Sequence, residues 1–283
     1  MQMIFSVPAS AIRFLVVVWL ACWAVSLPAG AADRARVEAF LEVTGFDVAL
    51  DSIALSASSA PEMLGVDAGA FGNQWTEMSQ EVFDPSLMRS LALDILEQTL
   101  DEEALDHAAA FYASDLGARL VRAENSSHLI EEDEVKQVAG SRIISDLVKA
   151  GSKRVAMYQR MGQAIDAAGS GVKALQQIQF RFLMAAAAAG VIEIQLDADE
   201  LRALMKEQEG ELRLSLQASS LAASAYTYQE FSDAEVQAYV EALEEAPMQR
   251  VYELLNSVQY EITANRFEEL AHRMAELTPG QDI

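Results

Sequence analysis

The chain contains few of the residues on which turns, disulfides and metal sites depend. Its 283 residues include one cysteine, three histidines, 6 prolines and 14 glycines. β-Sandwiches and barrels need glycine or proline at a turn every ~8–12 residues, so this scarcity argues against both folds. The three histidines, His107, His128 and His272, are far apart in sequence, and none has a second histidine one helical turn away to form a His-x-x-x-His metal pair.

Positive charge is also scarce, because 20 Lys and Arg stand against 43 Asp and Glu, giving a net charge of −23. A surface that binds a phosphate backbone needs clustered Lys and Arg, so we expect no nucleic-acid partner. With 52% apolar and 22% charged residues the chain lies outside the disordered class. The composition therefore indicates an acidic, folded protein.

The N-terminal segment has the pattern of a secretory signal peptide. Arg13 precedes an apolar run from 14 to 25, and Ala29-Gly30-Ala31 follows as an A-x-A cleavage site. We predict a signal peptide over 1–31 and location in the periplasm, with an uncleaved anchor as the alternative. Cleavage would remove Cys22, and with it any disulfide, thiolate metal site or cysteine nucleophile.

No second apolar run is long enough for a membrane span of ~20 residues. The longest, 182–192, has eleven residues and predicts a buried helix. We therefore expect no stable membrane span after signal cleavage.

The rest of the chain shows helical periodicity and helix-capping signals. Val37, Phe40 and Leu41 are spaced for one helix face that Gly45 ends, and Asp84-Pro85 has the form of an N-cap followed by a first-turn proline. Three further segments, 99–102, 197–200 and 232–235, have the form of capping boxes. The sequence predicts an all-α helical bundle.

Two segments of the chain show the same succession of predicted structural elements. Residues 99–120 and 231–252 each contain a capping box, a short helix with an aromatic residue, a kink and a helix with an Arg-aliphatic pair. We predict helical module 1 over 32–130, a connecting helix over 131–168 that is interrupted near Gly151, and helical module 2, a divergent repeat, over 169–283.

One motif carries a family resemblance. Phe111, Tyr112, Ser114, Gly117 and Arg119 match the hallmark of the domain of unknown function 2059, although Asp115 replaces the family's proline. The chain resembles that family over Arg36 to about His128, and more weakly over Val155 to Met274. The resemblance implies a secreted, all-helical domain of Gram-negative bacteria, duplicated here. It implies no catalytic residue.

Two kinds of segment invite a chemical interpretation, and a structural one is preferred for each. The acidic segments 131–134 and 197–200 have ligands for Ca²⁺, but they lack the spacing of a calcium loop and lie at expected helix N-termini. Gly169-Ser170-Gly171 has no strand before it and predicts a turn between helices. We predict no catalytic residue, no cofactor and no metal.

The motif supplies the candidate binding residues. Phe111 is expected in the core and Tyr112 at the core edge, where it could line a groove. Arg119 is expected to pair with Asp115 four residues earlier, with a ligand carboxylate as the alternative. Tyr112 and Arg119 are therefore the candidate partner-binding residues.

These observations favour a non-catalytic envelope protein that binds a protein or peptide through a helical groove. The alternatives are an envelope hydrolase with an unrecognised acidic site, and a purely structural or stress-related envelope factor. A large apolar groove would favour binding, and a concave pocket with converging acids and tyrosines would favour the enzyme.

Overall fold

A computed structural model describes residues 33–57, 60–65, 72–130, 133–166 and 169–275. They contain helices, turns and short connections and no strand, which confirms the all-α prediction. The expected signal peptide, Cys22 and residues 131–132 of the first acidic segment lie outside them.

The helices follow one another with short connections. They are α1 (Arg34–Thr44), α2 (Phe46–Asp51), α3 (Ile53–Ser56), α4 (Ala60–Leu64), α5 (Gly72–Val82), α6 (Pro85–Thr99), α7 (Glu102–Tyr112), α8 (Asp115–His128), α9 (Asp133–Lys149), α10 (Arg154–Ile165), α11 (Gly171–Ala188), α12 (Ala198–Glu207), α13 (Glu209–Thr227), α14 (Asp233–Leu243) and α15 (Ala246–Met274).

Most of the predicted helix ends are confirmed. The Asp84 side chain accepts a hydrogen bond from the Leu87 N–H at 2.9 Å, and Pro85 begins α6. Asp197 and Ser232 each begin a helix with a complete capping box. Gly45 ends α1 at φ 72°, a left-handed conformation that glycine adopts without steric cost.

The capping box predicted at 99–102 is wrong. Helix α6 continues through Thr99, whose hydroxyl donates to the Ile95 carbonyl at 2.7 Å. Asp101 caps α7 instead, and its carboxylate accepts from the Ala104 N–H at 2.8 Å. A threonine hydroxyl can bond either way along the chain, so the sequence pattern alone did not fix its role.

Helix α15 lies at the centre of the bundle, since it packs against α5, α6, α7, α10, α11 and α14. Its Phe267 ring contacts Phe182 of α11 edge to face at 5.1 Å between centroids, and Phe83 at 5.5 Å. Phe182 is fully buried, and α11 covers the apolar stretch from 182 as far as Ala188. No helix in the described part of the chain is long and apolar enough to cross a membrane.

The predicted connecting segment contains two helices, α9 and α10, separated by a turn in which Gly151 has φ 63°. Helix α9 packs against α13 so closely that a Cβ on Gly140 would lie 2.0 Å from the Ala222 carbonyl oxygen. Helix α10 packs against α14. The described residues form one compact unit with a shared core, and the division of the chain into two modules stays a prediction.

The two similar segments form helical hairpins of matching design. Helices α7 and α14 have 11 residues each, and the helices that follow them, α8 and α15, begin after a two-residue connection in both cases. Every equivalent position differs by the same 131 residues, as for Arg119 and Arg250. This equivalence supports the duplication that the sequence predicts.

Candidate functional site

The motif residues Ser114 and Gly117 shape the tight connection between α7 and α8. The Ser114 hydroxyl accepts a hydrogen bond from the Gly117 N–H at 3.1 Å and so caps α8. A Cβ at Gly117 would lie 2.2 Å from the Phe111 carbonyl oxygen and 2.6 Å from the Tyr112 Cα. Only glycine therefore allows α8 to lie this close to the end of α7.

The expected places of Phe111 and Tyr112 are reversed in the structure. Tyr112 is buried, with 2% of its surface exposed, whereas Phe111 is half-buried and packs against the core from its edge. The Phe111 ring stacks on Tyr239 of α14, with centroids 5.8 Å apart. Adjacent helix positions point about 100° apart, and the approach of α14 and α15 decides which one faces inward.

The Tyr112 hydroxyl belongs to a polar cluster of four tyrosines and one glutamate, in which Tyr112, Tyr228 and Tyr239 are buried and Tyr252 and Glu124 are half-buried. It contacts the hydroxyls of Tyr239, at 3.1 Å, and of Tyr252, and these two hydroxyls lie 3.2 Å apart. Tyr239 and Tyr228 also donate to one oxygen of the Glu124 carboxylate, at 2.9 and 2.7 Å. We call these five residues the tyrosine–glutamate cluster.

Burial raises the pKa of the cluster's ionisable groups. Desolvation raises the pKa of Glu124, although the hydrogen bonds from Tyr228 and Tyr239 stabilise its charged form and oppose the shift. Desolvation, together with the Glu124 charge, also raises the pKa of Tyr228 and Tyr239 well above the ordinary value. The tyrosines are therefore neutral hydrogen-bond donors at physiological pH.

The cluster forms one wall of a partly open cavity of about 250 Å³. At about 30 Å³ per molecule, that space holds about eight waters or a small organic group. No lysine or arginine of the described residues lines it. The lining residues are Thr44, Gly45, Phe46, Ala49, Tyr112, Glu124, Asn125, His128, Ile165, Tyr228, Tyr239, Val251, Tyr252, Leu255, Asn256 and Gln259.

The cavity lies between equivalent parts of the two hairpins. Asn125 of α8 and Asn256 of α15 occupy equivalent positions, and both line it. The same holds for Glu124 with Leu255 and for His128 with Gln259. The asparagine pair is identical, whereas the other two pairs differ in chemistry, so Glu124 on one side of the cavity faces an apolar residue, Leu255, at the equivalent position of the other side.

Arg119 does not pair with Asp115, as was expected, but with a residue of the other hairpin. Its guanidinium lies 2.5 Å from the Glu235 carboxylate at the start of α14, and 5.0 Å from the centroid of the Phe231 ring. The Ser232 hydroxyl and backbone, followed by Arg119, hold the pKa of Glu235 at about 2. Arg119 thus links α8 to residues 231–235, which lie between Tyr228 and Tyr239 in the chain.

Arg250, the equivalent of Arg119, faces the first hairpin in return. It lies 4.0 Å from Asp101 and 3.7 Å from Glu103, at the start of α7. An arginine of each hairpin therefore contacts acidic residues at the start of the first helix of the other hairpin. The Arg119 contact is shorter than the Arg250 contacts.

The remaining candidates lie outside this site, except for His128. His107 contacts Glu245 at 3.1 Å and His272 is exposed near the end of α15. The predicted turn at 169–171 is confirmed, and its Ser170 and Gly171 N–H groups donate to the Asp166 carboxylate at 2.8 and 3.0 Å. In the described residues no group of three or more His, Cys, Asp and Glu is placed to hold a metal ion.

The sequence analysis considered Tyr112 and His128 for different roles and did not bring them together, and it missed Glu124, Tyr228 and Tyr252 as site residues. One signal for Glu124 was present: it continues the inward stripe of Leu120 and Val121 at helical spacing, and a carboxylate on an apolar stripe is unusual. Nothing in the sequence indicated that residues more than 100 positions apart share its hydrogen bonds.

Comparison with known protein families gives one match. Residues 86–146 match the domain of unknown function 2059, described as an uncharacterized protein conserved in bacteria. The match confirms the resemblance on α7 and α8, begins within α6 and continues into α9. It covers no part of the second hairpin, so a second copy of domain 2059 stays a prediction. Comparisons with curated proteins and with solved structures found no match to the chain.

Proposed function

We propose that the chain is an exported, non-catalytic binding protein of the bacterial cell envelope. In this proposal a protein or peptide partner inserts one side chain into the cavity beside the tyrosine–glutamate cluster. The observation that carries it is the cavity itself, which combines apolar walls with a few converging polar groups, the usual make-up of a ligand site.

The state of the polar groups favours binding over reaction. The tyrosine hydroxyls are engaged with one another and with Glu124, so the cavity offers a fixed surface. Tyr112 takes part through its hydroxyl and ring at the cavity wall. Arg119 does not line the cavity; its ion pair with Glu235 joins α8 to the start of α14, and both helices carry cavity residues.

A second candidate, an envelope hydrolase, is favoured by one observation. The pocket is concave, and a glutamate of raised pKa converges there with tyrosines and with His128, as general acid catalysis requires. Glycoside hydrolysis requires a second carboxylate, and no other Asp or Glu of the described residues lines the cavity. Turnover lost in Glu124→Gln and kept in Glu77→Gln would replace the binding proposal.

Capture of a partner from envelope extract tests the binding proposal. Gln259→Trp adds bulk to the cavity wall and leaves the cluster intact, and Gln163→Trp places the same side chain on an exposed position of α10. We expect the unchanged protein and Gln163→Trp to retain one partner that Gln259→Trp loses. Equal capture by all three would contradict insertion into the cavity, and no capture by any would contradict the partner.

Intact-mass measurement of the envelope fraction tests export. The basic residue Arg13, the apolar run from 14 to 25 and the Ala29-Gly30-Ala31 site support cleavage after Ala31 or Ala32. We expect a mature chain that begins at Ala32 or Asp33. A full-length or lipid-modified species would contradict the cleaved signal.

A further inference from the structure

The cavity contains a carboxylate with no positive partner. Glu124 receives hydrogen bonds only from neutral tyrosine hydroxyls, and no Lys, Arg or His of the described residues forms an ion pair with it. Acidic residues elsewhere in the described chain commonly do have such partners, as Glu235 has Arg119 and Glu268 has Arg181. Glu124 is half-buried and lines the cavity, and a carboxylate partly removed from water is stabilised by a counter-charge, so the position open to one is inside the cavity.

The rest of the lining suits the other parts of an organic cation. The faces of tyrosine rings attract ammonium and guanidinium groups. Phe46, Ala49, Ile165, Val251 and Leu255 supply apolar wall for an alkyl stem, and Asn125, Asn256 and Gln259 supply carbonyl oxygens as acceptors. An anion in the cavity would be repelled at close range by Glu124 and at long range by the net charge of −23 on the protein.

We propose that the tyrosine–glutamate cavity binds an organic cation, with an ammonium or guanidinium group on Glu124 and an alkyl stem along the apolar wall. This inference rests on the proposed binding function and names the chemistry of the group that enters. The cation comes either from a free amine or from the Lys or Arg side chain of a peptide, and the two sources share this chemistry.

The ionisable groups around Glu124 determine how binding changes with pH. Tyr112 on α7, Tyr228 at the end of α13, Tyr239 on α14 and Tyr252 on α15 stay neutral, since burial raises their pKa. His128, one turn along α8, also lines the cavity, and desolvation and Lys136 lower its pKa. Cation affinity therefore falls as the pH drops and Glu124 takes up a proton.

Calorimetric titration of the mature protein at pH 8 with n-butylguanidinium and its neutral isostere n-butylurea tests the charge directly. We expect the guanidinium probe to bind at least tenfold more tightly than the urea. Glu124→Gln should remove that preference, and Glu77→Gln, which makes the same charge change at an exposed site on α5, should keep it. Thermal melts of both variants confirm that they fold.

A pH series and a peptide complete the test. Between pH 8 and 5 the affinity for n-butylguanidinium should fall in the unchanged protein and in His128→Asn, and should stay level in Glu124→Gln. Tighter binding of Gly-Gly-Arg-Gly-Gly than of n-butylguanidinium would identify a peptide side chain as the source, and the reverse order would identify a free amine.

The failures of the two proposals are distinguishable. Equal affinity for n-butylguanidinium and n-butylurea, blocked by Gln259→Trp, would overturn the cation and leave the cavity as a binding site. Binding of neither probe, with partner capture still blocked by Gln259→Trp, would also overturn only the cation. Binding of neither probe and partner capture unaffected by Gln259→Trp would overturn both.

Discussion

The α7–α8 hairpin and the α14–α15 hairpin have similar helix caps and connections but different residues at the positions that face inward. Both begin with a polar N-cap, Asp101 or Ser232, and both carry an arginine, Arg119 or Arg250, at the same place in the second helix. The interior positions diverge, because the first hairpin supplies Glu124 and the second supplies Leu255 at the equivalent position. The comparison teaches that the two hairpins share their caps and their reciprocal arginines, whereas their buried positions differ and make one asymmetric site.

The tyrosines show the same division of roles. Tyr112 corresponds to Leu243, while Tyr239 and Tyr252 correspond to Ala108 and Val121. No two cluster tyrosines are equivalent, yet their hydroxyls meet beside Glu124. The site therefore needs both hairpins and could not be formed by repeating either one.

The largest effect is expected from truncating the equivalent pair Tyr112 and Leu243, which are both buried. Tyr112→Ala should lower the free energy of unfolding by ~3–5 kcal/mol, and Leu243→Ala by ~2–5 kcal/mol, through lost burial and a new cavity. Phe111→Ala should cost less than Tyr112→Ala, since Phe111 is only half-buried. Denaturant melts measure all three, and a costlier Phe111→Ala would contradict the reversed roles of these neighbours.

A smaller effect is expected where the two connections differ. Gly117→Ala places a Cβ against the backbone of Phe111, where Met248 fills the equivalent position of the second hairpin. We expect a loss of ~1–3 kcal/mol from this overpacking. Gly210→Ala on α13 is the matched control, because nothing lies within 4 Å of its added Cβ, and it should be neutral or stabilising by up to ~1 kcal/mol. Equal melting points for both variants would mean that the α7–α8 connection is not tight.

The reciprocal arginines should contribute unequally. Arg119→Ala loses a short ion pair and a ring contact and should cost up to ~1 kcal/mol, whereas Arg250→Ala, with contacts of 3.7 and 4.0 Å, should cost less than ~0.5 kcal/mol. The lowered pKa of Glu235 means that its contribution is present above the ordinary glutamate pKa and is lost as the pH falls through about 2. The part of the Arg119→Ala cost that comes from the ion pair should therefore shrink as melts are taken to pH 2 and below, whereas the part that comes from the Phe231 ring contact should remain.

The smallest effect on stability at any single pH is expected from Glu124→Gln. The direction in which its Tm difference from the unchanged protein changes with pH tests the raised pKa of Glu124. The folded pKa of Glu124 is raised, so its contribution to stability is present below the unfolded pKa and is lost as the pH rises through the folded pKa. The Tm of Glu124→Gln relative to the unchanged protein should rise from pH 4 to pH 8, within about 2–4 °C. Leu255→Gln, at the equivalent position, should show no such trend. A constant difference for Glu124→Gln would mean that its carboxylate is solvated.

The sequence predicted the parts of the fold that depend on near neighbours. Asp84, Asp197 and Ser232 cap helices as expected, because a cap involves residues at most three positions away. The sequence misplaced Thr99 and exchanged Phe111 with Tyr112, since in each case two local arrangements were possible and distant packing selected one. The cluster could not be predicted, because the hydrogen bonds of Glu124 and of Tyr112 join residues 104 to 140 positions apart.

The cavity between equivalent positions has a consequence for assembly. If the two hairpins were on separate chains, the space between them would form only when the chains associate, to a degree that depends on protein concentration. With both hairpins in one chain the encounter is intramolecular, and the cavity is complete in every folded molecule at any dilution. Covalent linkage also frees the two sides from symmetry, so that one can keep an acid where the other has a leucine.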